Sequence, residues 1–128
     1  MNDNNIFGYY TGLTFFNKLG LTTQVPNVIE VTTNKEKSNK RTININGRKV
    51  ILRRGKVFID NDNYKVLQFL DMFNMIKLYQ IEENYDILKK YITENDFNQK
   101  NIVNLLPKYS SKVIRLIFES GLINEFTQ

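Results

Sequence analysis

The chain has 128 residues, 41% of them hydrophobic, and 18 lysines and arginines against 13 aspartates and glutamates, for a formal net charge of +5. That length suits one compact domain, residues 1 to 128, able to bury roughly two-thirds of its unfolded surface. Cysteine, histidine and tryptophan are absent, which excludes a disulfide framework, a thiolate nucleophile and the ordinary zinc ligand sets, and removes the commonest general base near neutral pH. Carboxylates, Lys and Tyr remain as the only acid–base groups, so the expectation is a protein that is not an enzyme and carries no cofactor and no metal.

The first ten residues, MNDNNIFGYY, lack the basic segment and apolar run of a secretory signal. The most apolar stretch, Val66 to Leu78, is interrupted by Gln68, Asp71, Asn74 and Lys77 and is too short to span a bilayer. The expectation is a cytoplasmic protein with no membrane contact.

In chain order, the run from Thr11 to Gly20 predicts a short helix. Thr11 is placed to N-cap it, Leu13, Phe16 and Leu19 recur at helical spacing, and Gly20 suits a left-handed C-terminal position. Leu21 to Asn27 predicts a loop in which Val25-Pro26 enforces an extended approach, since the residue before proline is pushed out of the helical region. Val28 to Thr33, VIEVTT, predicts a strand. Asn46-Gly47 between two alternating segments signals a two-residue type I′ hairpin, because both turn positions need positive φ. That turn fixes the register. Ile45 faces Arg48, Ile43 faces Val50 and Arg41 faces Leu52 on one side, while Asn44 faces Lys49, Thr42 faces Ile51 and Lys40 faces Arg53 on the other. One side has an apolar centre and the other is polar and cationic. Gly55 breaks the second strand, and Val57 to Ile59 predicts a further short one.

Asp60-Asn-Asp-Asn63 supplies capping residues for a long helix from Tyr64 to Tyr79, with its carboxylates near the positive end of the helix dipole. Lys65, Gln68, Asp71, Asn74 and Lys77 recur every third residue as a narrow polar stripe on it. Two or three further helices are predicted, over Asn84 to Thr93, Asp96 to Leu106 and Ser110 to Ser120, punctuated by Pro107 and Gly121. The fold class expected is α+β: a small antiparallel sheet containing the type I′ hairpin, packed by its apolar face against the long central helix, with further C-terminal helices.

Charge is not spread evenly. Lys35 to Lys56 holds nine cations against the single anion Glu36, whereas Asp60 to Asp96 holds eight anions against four cations. The candidate binding residues are therefore Lys40, Arg41, Arg48, Lys49, Arg53, Arg54 and Lys56, a β face fitted to phosphates or to an acidic protein surface. The alternative is a solvated hairpin whose cations discourage edge-to-edge aggregation, and no aromatic platform of the kind single-strand binders use is interleaved here.

Other motifs fail on spacing. Gly8-Tyr-Tyr-Thr-Gly12 matches neither a dinucleotide fingerprint nor a P-loop. Asp60 to Asp71 resembles a calcium loop only in its ends, since Tyr64 and Lys65 stand at its fifth and sixth positions. Glu30, Asp60 and Asp62 lack the spacing of a metal-dependent nuclease. Asp71 within an apolar helix marks either a solvent face or a buried hydrogen bond.

The stretch Gly8 to Lys35, GYYTGLTFFNKLGLTTQVPNVIEVTTNK, resembles the signature of AbiEi-type antitoxins of bacterial abortive-infection toxin–antitoxin systems, with Leu19-Gly-Leu-Thr-Thr-Gln-Val-Pro26 its most specific part. Tyr64 to Lys77 and Leu106 to Ile117 resemble later helices of the same family, so the likeness covers nearly the whole chain. Members usually carry an N-terminal winged helix that binds the promoter. The part resembled here is the C-terminal domain alone. The resemblance implies a non-catalytic phage-defence domain that counters a cognate nucleotidyltransferase-type toxin, with DNA binding supported through the basic face. A nucleic-acid-binding accessory module is the alternative.

Overall fold

The computed structural model describes residues 6–21 and 27–127, and the side chain of Leu13 is not among the described ones. The predicted Val25-Pro26 approach lies outside these residues. The described chain is α+β. It runs through β1 (Gly8–Tyr10), α1 (Gly12–Lys18), β2 (Val28–Thr33), β3 (Lys40–Ile45), β4 (Arg48–Arg54), α2 (Tyr64–Met72), α3 (Leu78–Glu83), α4 (Tyr85–Glu94), α5 (Gln99–Leu105) and α6 (Ser111–Glu119), with short 3-10 turns at Leu106–Lys108 and Leu122–Glu125. It divides into two compact units, Met1–Met72 and Phe73–Gln128.

The first unit holds the sheet, in the order β1-β2-β4-β3. The hairpin has the register its turn dictates, from Ile45↔Arg48 to Lys40↔Arg53, and Asn46 and Gly47 take φ of 52° and 80°. β1 and β2 are antiparallel, but β2 and β4 run parallel, from Val28↔Lys49 to Thr33↔Arg54. The sheet is therefore mixed rather than antiparallel throughout. The order of residues explains the insertion: β4, with Val50, Ile51 and Leu52 in a row, takes the inner position, and the more polar β3 takes the water-facing edge.

The predicted strand at Val57 to Ile59 does not form. The Asn34 side chain takes the place of a partner strand, its Oδ1 accepting from Ile59 N at 2.8 Å and its Nδ2 donating to Ile59 O at 2.7 Å. Asp60 and Asn63 cap the approach to α2 as expected: Asp60 Oδ1 accepts from the backbone of Asp62 and Asn63, and Asn63 Oδ1 accepts from Asp60 N.

Of the single long helix expected over Tyr64 to Tyr79, only α2, Tyr64–Met72, forms; a turn follows it, and α3 begins at Leu78 and runs on to Glu83, beyond the expected end. A polar stripe with a spacing of three slips about 60° per step around a helix of 3.6 residues per turn. Over four steps it cannot stay on one side. In the structure Gln68 and Asp71 are half-buried on α2, while Asn74 and Lys77 reach solvent in the turn and Phe73 and Ile76 are buried there.

In the first unit, Leu67, Phe69, Leu70, Met72 and Ile59 are almost fully buried, with Tyr9, Phe15 and Phe16 beside them in the core. The second unit is helical around Phe73, Ile76, Ile81, Leu88, Ile92, Ile102, Ile117 and Leu122. Phe97 stacks on Phe126 at 6.1 Å between centroids. Asn98 caps α5 through Asn101 N, and Ser110 caps α6 through Val113 N.

Candidate partner-binding interface

Side chains of paired residues project to the same side of a sheet. One face therefore carries Tyr9, Thr32, Arg53 and Lys40 in one row, Glu30, Ile51 and Thr42 in the next, and Val28, Lys49 and Asn44 in the third. The other face carries Tyr10, Val31, Leu52 and Arg41, then Ile29, Val50 and Ile43, with Ile45 and Arg48 at the hairpin tip and Arg54 at the far end.

The helices of the first unit lie on the Tyr9 side. The Tyr9 hydroxyl donates to Asp71 Oδ2 on α2, and the Thr32 hydroxyl donates to Thr11 Oγ1 at 3.4 Å. Thr11 stands at the N-cap position of α1 but makes no side-chain capping bond; its hydroxyl serves the sheet instead. Thr14 Oγ1 accepts from Glu30 N at 3.2 Å, extending the edge of β2 where β1 has ended. This geometry corrects the expected packing, because α2 covers the face of Tyr9 and not the face of Ile43, Val50 and Leu52. Asp71, ambiguous in the sequence, is explained by Tyr9.

The seven cations are thereby divided. Lys40, Lys49 and Arg53 share the first face, Arg41, Arg48 and Arg54 lie on the second, and Lys56 comes after the end of β4. Arg53 sits directly across from Lys40, and Lys49 stands four residues further along β4, about 13 Å at a rise of roughly 3.3 Å per residue. Lys40 and Lys49 are exposed and Arg53 is half-buried. Glu30, in the row between Lys49 and Arg53, is the one carboxylate that the pairing places on this face of the sheet.

On the second face Arg41 is committed to a carboxylate. Its Nε contacts both oxygens of Glu36, at 3.3 and 3.1 Å, and its Nη2 reaches Oε1 at 3.0 Å. The hydrogen bonds from Arg41 hold the Glu36 carboxyl below its ordinary value, with burial opposing and the Ser38 backbone assisting. Arg54 donates to Lys37 O at 3.2 Å and Asn39 Oδ1 at 2.7 Å, pinning the loop between β2 and β3. Arg41 and Arg54 thus serve the loop's structure, whereas among the described residues no such carboxylate or carbonyl claims Lys40, Lys49 or Arg53.

Among the described residues no three acidic side chains gather where a metal ion could be held, and no helix is long and apolar enough to cross a membrane. No family model matches the chain, and no curated protein or solved structure matches it.

Proposed function

We propose that the chain is a non-catalytic, cytoplasmic antitoxin-type domain that counters a nucleotidyltransferase-type toxin in bacterial abortive infection, and that it contacts DNA through the face of Lys40, Lys49 and Arg53. The likeness of Leu19 to Pro26 and its flanks to AbiEi-type antitoxins supports the antitoxin role. The observation that carries the DNA contact is the gathering of Lys40, Lys49 and Arg53 on one face while Arg41 and Arg54 are engaged elsewhere. Cations at fixed spacing on a sheet, Lys40 and Lys49 exposed and Arg53 half-buried, position phosphates without reading bases, so the contact is sequence-tolerant and salt-dependent. A face without aromatic side chains among its exposed positions favours a duplex backbone over stacked single-strand bases.

The test has two arms. In the first, a Lys49→Glu/Arg53→Glu variant is titrated with a DNA duplex at several salt concentrations. In the second, the same variant is co-expressed with a nucleotidyltransferase-type toxin of an abortive-infection pair that the wild type neutralises, and growth is followed. Loss of DNA affinity with growth rescue intact assigns the face to DNA alone. Loss of both assigns it to the antitoxin activity as well. Retention of both, in a folded variant, refutes the assignment and leaves the hairpin as a solvated surface.

A further inference from the structure

β3 is an outer strand of the sheet and pairs with β4 alone. In a two-residue hairpin the residues flanking the turn, here Ile45 and Arg48, exchange both ladder hydrogen bonds, and bonded and unbonded pairs then alternate. Arg41, Ile43 and Ile45 therefore direct their backbone N–H and C=O groups at β4, whereas those of Lys40, Thr42 and Asn44 point outward. Among the described residues no other segment bonds to these outward groups. An open row of this kind is a template for another strand, and proteins commonly blunt it with a proline, a bulge or a covering helix. β3 contains no proline, and its register runs unbroken from Lys40↔Arg53 to Ile45↔Arg48. Every residue of it except the half-buried Ile43 is exposed.

The side chains along this edge define the strand that fits it. On one face Lys40 lies at the rim with Arg53 directly across from it, and Asn44 lies across from Lys49. Among the described residues no carboxylate pairs with any of these three cations, and the carboxylate of Glu30, on β2, lies against Gly12. On the other face Ile43 and Ile45 form an apolar rim, Ile45 being 52% exposed, and Arg41 is already held by Glu36. A second copy of β3 would bring its own Lys40 and Arg41 to the same cations, and like charges across a ladder destabilise it. A strand that alternates carboxylates with apolar side chains meets both faces, its carboxylates towards Lys40, Lys49 and Arg53 and its apolar groups towards Ile43 and Ile45.

We propose that β3 docks an extended acidic segment of a protein partner, which joins the four-stranded sheet along its open edge. Backbone hydrogen bonds to Lys40, Thr42 and Asn44 supply affinity that any extended chain could use, and the alternation of carboxylate and apolar side chains selects the segment. The contact does not rest on the DNA reading, because backbone groups rather than the cationic side chains make the pairing.

Amide hydrogen exchange of the full chain at low salt, followed residue by residue, tests it with a synthetic peptide that alternates glutamate and valine over the length of β3. In the free protein the amides of Thr42 and Asn44 should exchange fast and those of Ile43 and Ile45 slowly; saturating peptide should slow Thr42 and Asn44 by about tenfold or more. A peptide with lysine in place of glutamate should bind about tenfold more weakly or worse. Thr42→Pro removes one outward N–H and none of the bonds to β4, a position where an edge strand tolerates proline. This variant should fold and should bind the acidic peptide about tenfold more weakly or worse. If it does not fold, the exchange pattern of the wild type decides alone. Thr42→Pro leaves Lys40, Lys49 and Arg53 in place, so failure of duplex binding and failure of this contact are read separately. The proposal is overturned by an acidic peptide that does not bind or binds without slowing Thr42 and Asn44, by equal binding of the lysine peptide, or by a folded Thr42→Pro that binds as the wild type does. Protection of these two amides in the free protein that grows with its concentration would place a second copy on the edge and overturn it as well.

Discussion

Glu36 is buried yet ionised, and Arg41 is the reason: the guanidinium reaches both carboxylate oxygens. Because the folded value lies below the ordinary 4.5, this pair contributes stability above that pH and loses it as the pH falls through the depressed folded value. A thermal melt series should show Glu36→Gln less stable than the wild type at neutral pH, with the gap closing as the pH drops below 4.5. A gap that stays constant with pH would show that the pair is not ionised as described. Tyr85 behaves in the opposite sense. Burial, then the hydrogen bond to Glu125 Oε2 at 2.6 Å, pushes its hydroxyl up to about 12. Its contribution is complete below 10.0 and is lost as the pH rises towards about 12. An ultraviolet titration should therefore contain a late tyrosine component that is diminished in Tyr85→Phe. Neither pair was legible in the sequence: Tyr85 and Glu125 are far apart in the chain and only the fold joins them, and Glu36 and Arg41, though close in the chain, are brought together by the turn of the loop into β3. Asp71 was legible as an oddity, but its partner Tyr9 was not.

At the scale of elements, what local chemistry determines could be read and what depends on distant pairing could not. The Asn46-Gly47 turn sets the hairpin register by itself, and the Asp60 to Asn63 cap needs only its own residues. The parallel pairing of β2 with β4 depends on which strand of the hairpin is the more apolar, a comparison that no single window contains. The interruption after Met72 was written in the three-residue spacing of the polar stripe, which an apolar run had disguised. Two glycines separate local strain from packing. Gly47 has φ of 80° and open space around it, whereas Gly12 has φ of 64° and a Cβ built there would lie 1.9 Å from Glu30 Oε2. Gly47→Ala should cost about 1 kcal/mol for its left-handed conformation alone. Gly12→Ala should cost more than Gly47→Ala, by roughly a few tenths of a kcal/mol, because the end of the Glu30 side chain must also swing away from it. Chemical denaturation of both variants measures the difference, and equal losses would contradict the close approach at Gly12.

On the scale of the molecule, the excess charge belongs to one unit. Lys35 to Lys56, with nine cations and one anion, lies wholly within the sheet unit, and the helical unit carries seven cations and seven anions from Phe73 onward. The composition showed the imbalance, and the register showed which cations share a side; the division into two units had no proline- or glycine-rich linker to announce it. Val50, 8% exposed at the centre of the sheet, marks how far the unit's integrity is separable from its charge. Val50→Asp should unfold the sheet unit by burying an unpaired carboxylate, seen as loss of the cooperative melt, while Lys49→Glu on the preceding residue should change stability by no more than about 0.5 kcal/mol. The most direct test of the central claim is the salt dependence of duplex binding by the wild type and by Lys49→Glu/Arg53→Glu. The account predicts that the variant melts as the wild type does, binds at least tenfold more weakly at low salt, and loses about two from the slope of log affinity against log salt, one for each phosphate contact removed. A folded variant with unchanged affinity and unchanged slope would contradict it.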